Sequence, residues 1–184
     1  MKLVRGRGKS VALAVLAGSL AYSLAGCGSN SGPATDGPLA ASIKVGGECA
    51  TGRVGHPQAF GDLAFTNHGH NTLVLDRVAL MRPHNEHLIG SFAVPGIYVI
   101  GLVPWPPRPS PVPSTWKDRQ PVHGFRLAPG KTFNMVLGVV ATARGRATSQ
   151  GMMIYYHDTA GSSYLANAHF ASLIYVTNRG CSSR

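Results

Sequence analysis

The chain has 184 residues, of which 44% are hydrophobic, and it carries a formal net charge of +10. Four of its 17 basic residues fall before position 10, so residues 27–184 keep 13 basic residues against 7 acidic ones. This length suffices for one domain with a sizeable core. The basic residues are scattered, without a run interleaved with aromatic residues, which argues against nucleic-acid binding. The charge is typical of a solvated surface with a general attraction to anionic surroundings.

The first 26 residues have the layout of a secretory signal peptide. A basic start precedes an apolar run over 11–24, the order of regions found in export signals. The run ends in Leu24–Cys27 (LAGC), which resembles the bacterial lipobox. That resemblance implies a signal peptide over 1–26 and a Cys27 that carries lipid, with palmitate among the acyl chains. The chain would then be held on the extracytoplasmic face of the cell membrane.

An uncleaved signal anchor is the alternative to cleavage before Cys27. The apolar run is shorter than the roughly 20 residues of a transmembrane helix, which favours cleavage. Both alternatives place the domain outside the cytoplasmic membrane. Residues 27–40 are rich in glycine, serine and proline and have no apolar periodicity, which is typical of a flexible tether. The folded domain is expected over 41–184.

Two further cysteines, Cys49 and Cys181, lie near the two ends of the expected domain. An even pair in an exported protein favours a disulfide. Closure of so long a loop stabilises a fold by up to about 4–5 kcal/mol. Two free thiols are the alternative, and a catalytic cysteine is disfavoured because neither cysteine has a histidine nearby in the sequence.

Alternating apolar residues predict a succession of short strands rather than helices. The phase of the third strand slips near Val78, which indicates a bulge, and Arg144 begins a polar break between strands. The predicted strands cover 42–45, 62–67, 72–81, 87–94, 97–100, 132–140 and 152–157, with one long or two short strands within 164–176.

The segment 102–122 is rich in proline, which cannot join the interior of a sheet. It is expected to run as an extended loop over the surface, and loops of this length are often functional. Trp105 and Trp116 within it are candidates for docking a peptide, a glycan or an envelope protein. In the alternative, the loop folds back and both rings cover an edge of the sandwich.

The strand pattern with its glycine and proline turns predicts an all-β, antiparallel β-sandwich. Three segments, FTNHGHNTLVLDRVAL (65–80), LAPGKTFNMVLGV (127–139) and MMIYYHDTAGSSYLANAHFASLIYV (152–176), resemble a group of actinobacterial secreted lipoproteins of unknown function. The resemblance implies a small immunoglobulin-like sandwich behind a lipobox and brings no catalytic residues. The Cys–Trp–Cys spacing of true immunoglobulin domains is missing, so the term refers to architecture only.

Histidine is the enriched functional residue type, and four histidines form two pairs. His68 and His70 occupy a predicted turn, and His84 and His87 follow the third strand. If the sandwich brings the two loops together, four imidazoles could hold Cu(II) or Zn(II). An envelope copper or zinc carrier is therefore the alternative function.

Enzyme motifs are sparse. The chain has no Gly-x-Ser-x-Gly elbow, phosphate loop or His-Glu-x-x-His motif. His157 beside Ser162 and Ser163 is read as a hairpin turn rather than a nucleophile set, and a cell-wall enzyme ranks last. The sequence thus predicts a lipid-anchored, extracytoplasmic binding or interaction module of the cell envelope that has no catalytic activity and no required cofactor.

Overall fold

The computed structural model describes residues 37–41, 48–97, 102–108, 114–169 and 172–176. None of its helices, within these ranges, is long and apolar enough to cross a membrane. A 3₁₀ helix spans Ser114–Asp118. The strands are β1 (Leu39–Ala41), β2 (Glu48–Thr51), β3 (Gln58–Asn67), β4 (Leu73–Leu80), β5 (Glu86–Pro95), β6 (Val103–Pro104), β7 (Gln120–Pro121), β8 (Arg126–Leu127), β9 (Thr132–Ala141), β10 (Gly145–Ser149), β11 (Met152–Asp158), β12 (Ser163–Ala168) and β13 (Ser172–Val176).

These strands form three sheets. The first sheet has the order β1-β3-β9-β5-β7, with β6 beside β3, and the second has the order β12-β11-β4-β8. The third sheet, β10-β13-β2, contains the one parallel pair among the described strands, β13 with β2. The predicted all-β, mainly antiparallel β-sandwich is confirmed.

The main core lies between the first and second sheets. Alternate residues of β11 face inward, so Met152, Ile154 and Tyr156 are buried while their neighbours are partly exposed. An aromatic row crosses the core, with the ring of Phe133 5.5 Å from that of Phe65 and 5.2 Å from that of Phe125. The period-2 pattern of the sequence thus directs one face of each strand to this core.

The opposite face of the first sheet is also covered. Nearly every residue of β9 is buried, because Phe133 and its alternates face the main core while Val136 faces a second cluster. This second core comprises Ala59, Val94, Trp116 and Val136, with Phe92, Val103 and Trp105 packed against it. Since Val103, Trp105 and Trp116 belong to the proline-rich segment, that segment supplies the cover.

The two ends of the sandwich differ in what they carry. At the entry end, residues 37–38 lie at the same end of the sheets as the turns 68–72, 128–131 and 159–162, and His68 donates its backbone N–H to the Pro38 carbonyl at 2.9 Å. At the far end, the loops 52–57, 81–85 and 142–144 meet the third sheet. Backbone hydrogen bonds from Gly55 to Ala141 and between His84 and Thr148 tie these loops together.

The structure corrects several predicted boundaries. The first strand begins at Leu39, two residues before the expected domain start, because Leu39 pairs with Asn67 of β3. The polar break at 144–146 is wrong, since β10 begins at Gly145 and pairs with β13. The region 164–176 forms two strands. The predicted strand 42–45 and most of 97–100 lie outside the described residues.

Candidate functional site

A cavity of about 340 Å³ opens at the entry end. Its walls come from the turn that connects β3 to β4, the start of the β11–β12 turn and the residues at which the described chain enters the sandwich. The lining residues are Gly37, Pro38, Gly69, His70, Asn71, Asp158 and Tyr164. The cavity therefore offers one imidazole, one amide, one phenol and one carboxylate to a small polar ligand.

Among the described residues that line this cavity, Asp158 is the one carboxylate, and it is saturated with hydrogen bonds. Its Oδ1 accepts backbone N–H groups from Ala160 at 3.0 Å and Ser162 at 2.9 Å. Its Oδ2 accepts the Asn71 amide at 3.3 Å and the Tyr164 hydroxyl at 3.1 Å. The Ser162 N–H is the largest of the influences that lower the pKa of Asp158 below its ordinary value. The side chain is thus a fixed anion that shapes the turn, not a proton donor.

A tyrosine pair joins the cavity to the incoming chain. The rings of Tyr156 and Tyr164 stack at 5.3 Å, and the Tyr156 hydroxyl accepts the backbone N–H of Leu39 at 3.2 Å. Burial raises the pKa of Tyr156, and the Leu39 N–H opposes part of that rise. A Cβ at Gly37 would come within 2.1 Å of the same hydroxyl oxygen, so only glycine lets the chain enter here.

A second polar group lies on the outer face of the second sheet. His157 Nδ1 is 2.9 Å from Asp76 Oδ1, with both side chains about two-fifths exposed. His123 Nδ1 contacts the backbone carbonyl of Asp76 at 2.9 Å. Ser163 is the cross-strand partner of His157, yet among the described contacts no hydrogen bond links the two side chains. Asp76 thus orients the His157 imidazole, but no described serine or cysteine is hydrogen-bonded to that imidazole as a nucleophile would be.

The structure does not bring the four predicted metal-binding histidines together. His68 and His70 lie at the entry end, whereas His84 and His87 lie at the far end. The eight residues of β4 separate the pairs, a length of about 26 Å at 3.3 Å per residue. All four are largely exposed, and the described residues contain no group of three or more potential metal ligands. The predicted copper or zinc site is therefore not formed.

Neither tryptophan of the proline-rich loop stands free as a docking residue. Trp116 is only 3% exposed, and its ring meets that of Phe92 edge-on at 5.5 Å. Trp105 stacks on the other side of Phe92 at 5.3 Å. The exposed partner-contact role is wrong for Trp116, because the uncovered face of the first sheet recruits its ring. The folded-back alternative describes this loop.

Two glycines make room for Trp105. Gly90 of β5 and Gly138 of β9 are cross-strand partners. A Cβ at Gly90 would approach the indole to 2.7 Å, and one at Gly138 would approach it to 2.3 Å. The indole therefore lies flat on backbone and fills the space that two side chains would occupy, an arrangement known to compensate for glycine in strands.

Sequence reasoning missed Asp158, Tyr164 and Asp76 as organising residues. Aspartate followed by Thr-Ala-Gly-Ser is a turn signal, because an aspartate side chain accepts backbone N–H groups two residues on, and this could have identified Asp158. The pairing of Asp76 with His157 spans 81 residues and left no local signal. Cys49 is half-buried in β2, while Cys27 and Cys181 lie outside the described residues, so lipidation and the disulfide stay predictions.

Comparisons with known proteins add little to this description. No family model and no curated protein matches the sequence. Among solved structures, a PapD-like domain of human CEP192 covers 94% of this chain and 99% of its own, with 12% identity and a TM-score of 0.38. The VesB protease of Vibrio cholerae covers 73% of this chain, with 11% identity and a TM-score of 0.36. This chain spans only 31% of the protease.

Replacing Asp158 with asparagine tests the saturated carboxylate. Because its pKa is lowered in the fold, the carboxylate stabilises the protein above the unfolded pKa of about 3.9, and this advantage disappears as the pH falls through the lowered folded value. Asp158→Asn should lower the melting temperature at pH 7, with the gap closing towards pH 3. Asp118→Asn, at an exposed carboxylate, is the control. A gap independent of pH would contradict this account.

A double-mutant cycle tests the glycine seat of Trp105. Gly138→Ala should cost about 1–3 kcal/mol in the free energy of unfolding, because the methyl group displaces the indole. In a Trp105→Ala background the same change should cost less than about 0.5 kcal/mol, since the obstructing ring is gone. Urea unfolding of the four proteins measures both values. Equal costs in the two backgrounds would show that Trp105 does not occupy this seat.

Proposed function

We propose that the chain is a lipid-anchored binding module on the extracytoplasmic face of the cell envelope. The observation that carries the proposal is the order of segments at the entry end. The lipobox-like Leu24–Cys27 stands ten residues before Gly37, where the chain enters the sandwich at one end rather than on a face. An anchor there leaves the outer face of the second sheet and the far end accessible to partners.

The described polar groups support binding rather than catalysis. Asp158 has four donors and a lowered pKa, whereas a general acid needs a raised one. His157 has an orienting carboxylate in Asp76, yet it lacks a hydrogen-bonded serine or cysteine, as nucleophilic catalysis requires. We therefore assign no enzymatic step to either group.

A disulfide between Cys49 and Cys181 is part of this proposal. Cys49 pairs in register with Leu173 of β13, and the described part of β13 ends at Val176. Because β13 and β2 run parallel, the described end of β13 lies about three residues, or 10 Å, beyond the level of Cys49. The five residues after Val176 span up to about 17 Å, which is sufficient. The bond would fasten the third sheet at the far end.

Lipidation is tested by labelling the full chain with palmitate in a bacterium that processes lipoproteins. The wild-type chain should carry label and sediment with membranes. Cys27→Ser should lose the label, because serine offers no thiol to the lipid-transferring enzyme. Cys49→Ser is the matched control and should keep the label. A labelled Cys27→Ser chain, or an unlabelled wild type, would refute the anchor.

The disulfide is tested by thiol alkylation and thermal unfolding. In the exported wild-type protein, Cys49 and Cys181 should resist alkylation under denaturing, non-reducing conditions. The double variant Cys49→Ala, Cys181→Ala should be about 2–5 kcal/mol less stable. A reductant should destabilise the wild type and leave the double variant unchanged. Free alkylation of both cysteines in the unreduced protein would exclude the bond.

A further inference from the structure

The far end of the sandwich gathers four exposed arginines. Arg53 precedes the turn in which Gly55 donates its N–H to Ala141 at 3.0 Å. Arg82 lies in the loop after β4, Arg144 lies between β9 and β10, and Arg146 lies on β10. Each of the four is exposed to solvent. Three separate segments thus deliver guanidinium groups to one end of the molecule.

The backbone holds these segments in fixed proximity. Thr51 is level with Tyr175, and Tyr175 is level with Arg146, so β2 and β10 flank β13. Two strand spacings of about 4.8 Å place Thr51 and Arg146 about 10 Å apart, and Arg53 follows two residues later. On the other side, the Asn85 amide donates to the carbonyl oxygen of Arg146 at 3.3 Å, which holds the Arg82 loop against β10.

The four arginines have no intramolecular partner among the described side chains. None of them forms an ion pair with a described carboxylate or stacks on a described ring. Elsewhere arginines are engaged: Arg77 lies 3.4 Å from the centre of the Tyr155 ring, and Arg119 lies over Trp116 at 4.8 Å. The described carboxylate nearest in sequence to the cluster, Glu86, is only 2% exposed. The exposed charged side chains described at this end are therefore basic.

We propose that the far end binds a phosphodiester-bearing polymer of the cell wall. Guanidinium groups form bidentate hydrogen bonds with phosphate. A repeating polyanion can satisfy several of them at spacings of about 10 Å and releases its condensed counterions on binding. This inference deepens the proposed function and rests on it for the position of the far end relative to the membrane.

Tether length favours a wall polymer over the headgroups of the chain's own membrane. Nine residues separate Cys27 from Gly37, so the ten steps between the two Cα atoms span at most about 35 Å. The ten residues of β3 run about 33 Å from the far end to the entry end. The far end reaches the membrane only on a nearly straight tether, which is entropically unfavourable.

The test uses the full chain in detergent, with immobilised poly(glycerol phosphate) as the probe. The patch variant replaces Arg53, Arg82, Arg144 and Arg146 with glutamine. The control variant replaces Arg108, Lys117, Arg126 and Lys131 with glutamine, so both lose the same charge from exposed positions. The patch variant should bind at least about tenfold more weakly and the control less than about threefold. Four lost phosphate contacts should reduce the salt dependence of log Kd by about 3.

The remaining outcomes are distinct. Equal weakening of both variants would show diffuse attraction and overturn the inference. Binding of the unlipidated Cys27→Ser chain to phosphatidylglycerol vesicles as tightly as to the polymer would also overturn it. Thermal unfolding of both variants confirms that each is folded, and the single substitutions Arg144→Gln and Arg146→Gln provide the comparison if the fourfold variant unfolds. Absence of polymer binding by a palmitate-labelled wild type overturns this inference and leaves the anchor standing. Polymer binding by a wild type that carries no palmitate label would refute the anchor and leave the polymer-binding inference standing.

Discussion

The fold depends on one constraint, the need to cover β9 on both faces. β9 lies between β3 and β5 and has apolar residues on both sides, so a single layer of packing would leave half of it in water. The second sheet covers one side with Leu75 and Ile154. On the other side, the described strands form no further sheet, and the proline-rich segment covers β9 instead. Burial of a tryptophan there contributes about 3–5 kcal/mol, judged by the cost of its truncation.

This constraint explains the composition of the 102–122 segment. Proline removes backbone donors, so a proline-rich chain can lie on a hydrophobic sheet without leaving many N–H groups unsatisfied. Trp105 and Trp116 fill the volume that a second sheet would occupy, and Phe92 lies between their rings. Arg119 spans this cluster from outside, 5.6 Å from the Phe92 ring. A segment typical of a ligand-binding loop is here part of the core.

The strands that sequence reasoning located well are those with one uniform environment on each face. β4, β5, β9 and β11 were predicted to within one or two residues because their apolar residues alternate or run continuously. β10 was missed because Arg146, Thr148 and Ser149 lack an apolar stripe, and its strand pairing comes from β13, far away in the sequence. The bulge of β4 was expected near Val78 and lies at Asp76, opposite Tyr155 and Tyr156. Because the bulge comes before Arg77 rather than after it, the side chain of Arg77 faces outward and lies over the ring of Tyr155.

The polar site residues could not be predicted from local sequence for the same reason as β10. Long-range contacts decide whether a polar group forms hydrogen bonds within the protein or is left for a partner. At the entry end, the Asp158 carboxylate accepts four hydrogen bonds from its own chain. Each of these bonds reduces the free energy that a hydrogen bond from a ligand could contribute. At the far end, strand pairing brings the segments of Arg53 and Arg146 close together without a described carboxylate between them. These arginines can therefore still gain free energy by pairing with an anionic partner. Like charges held close on exposed loops oppose folding, and an anionic partner relieves that repulsion. If the chain is lipid-anchored as proposed, the end with saturated polar groups is the one that follows the anchor in the sequence. The end with unpaired charge is then left for a partner.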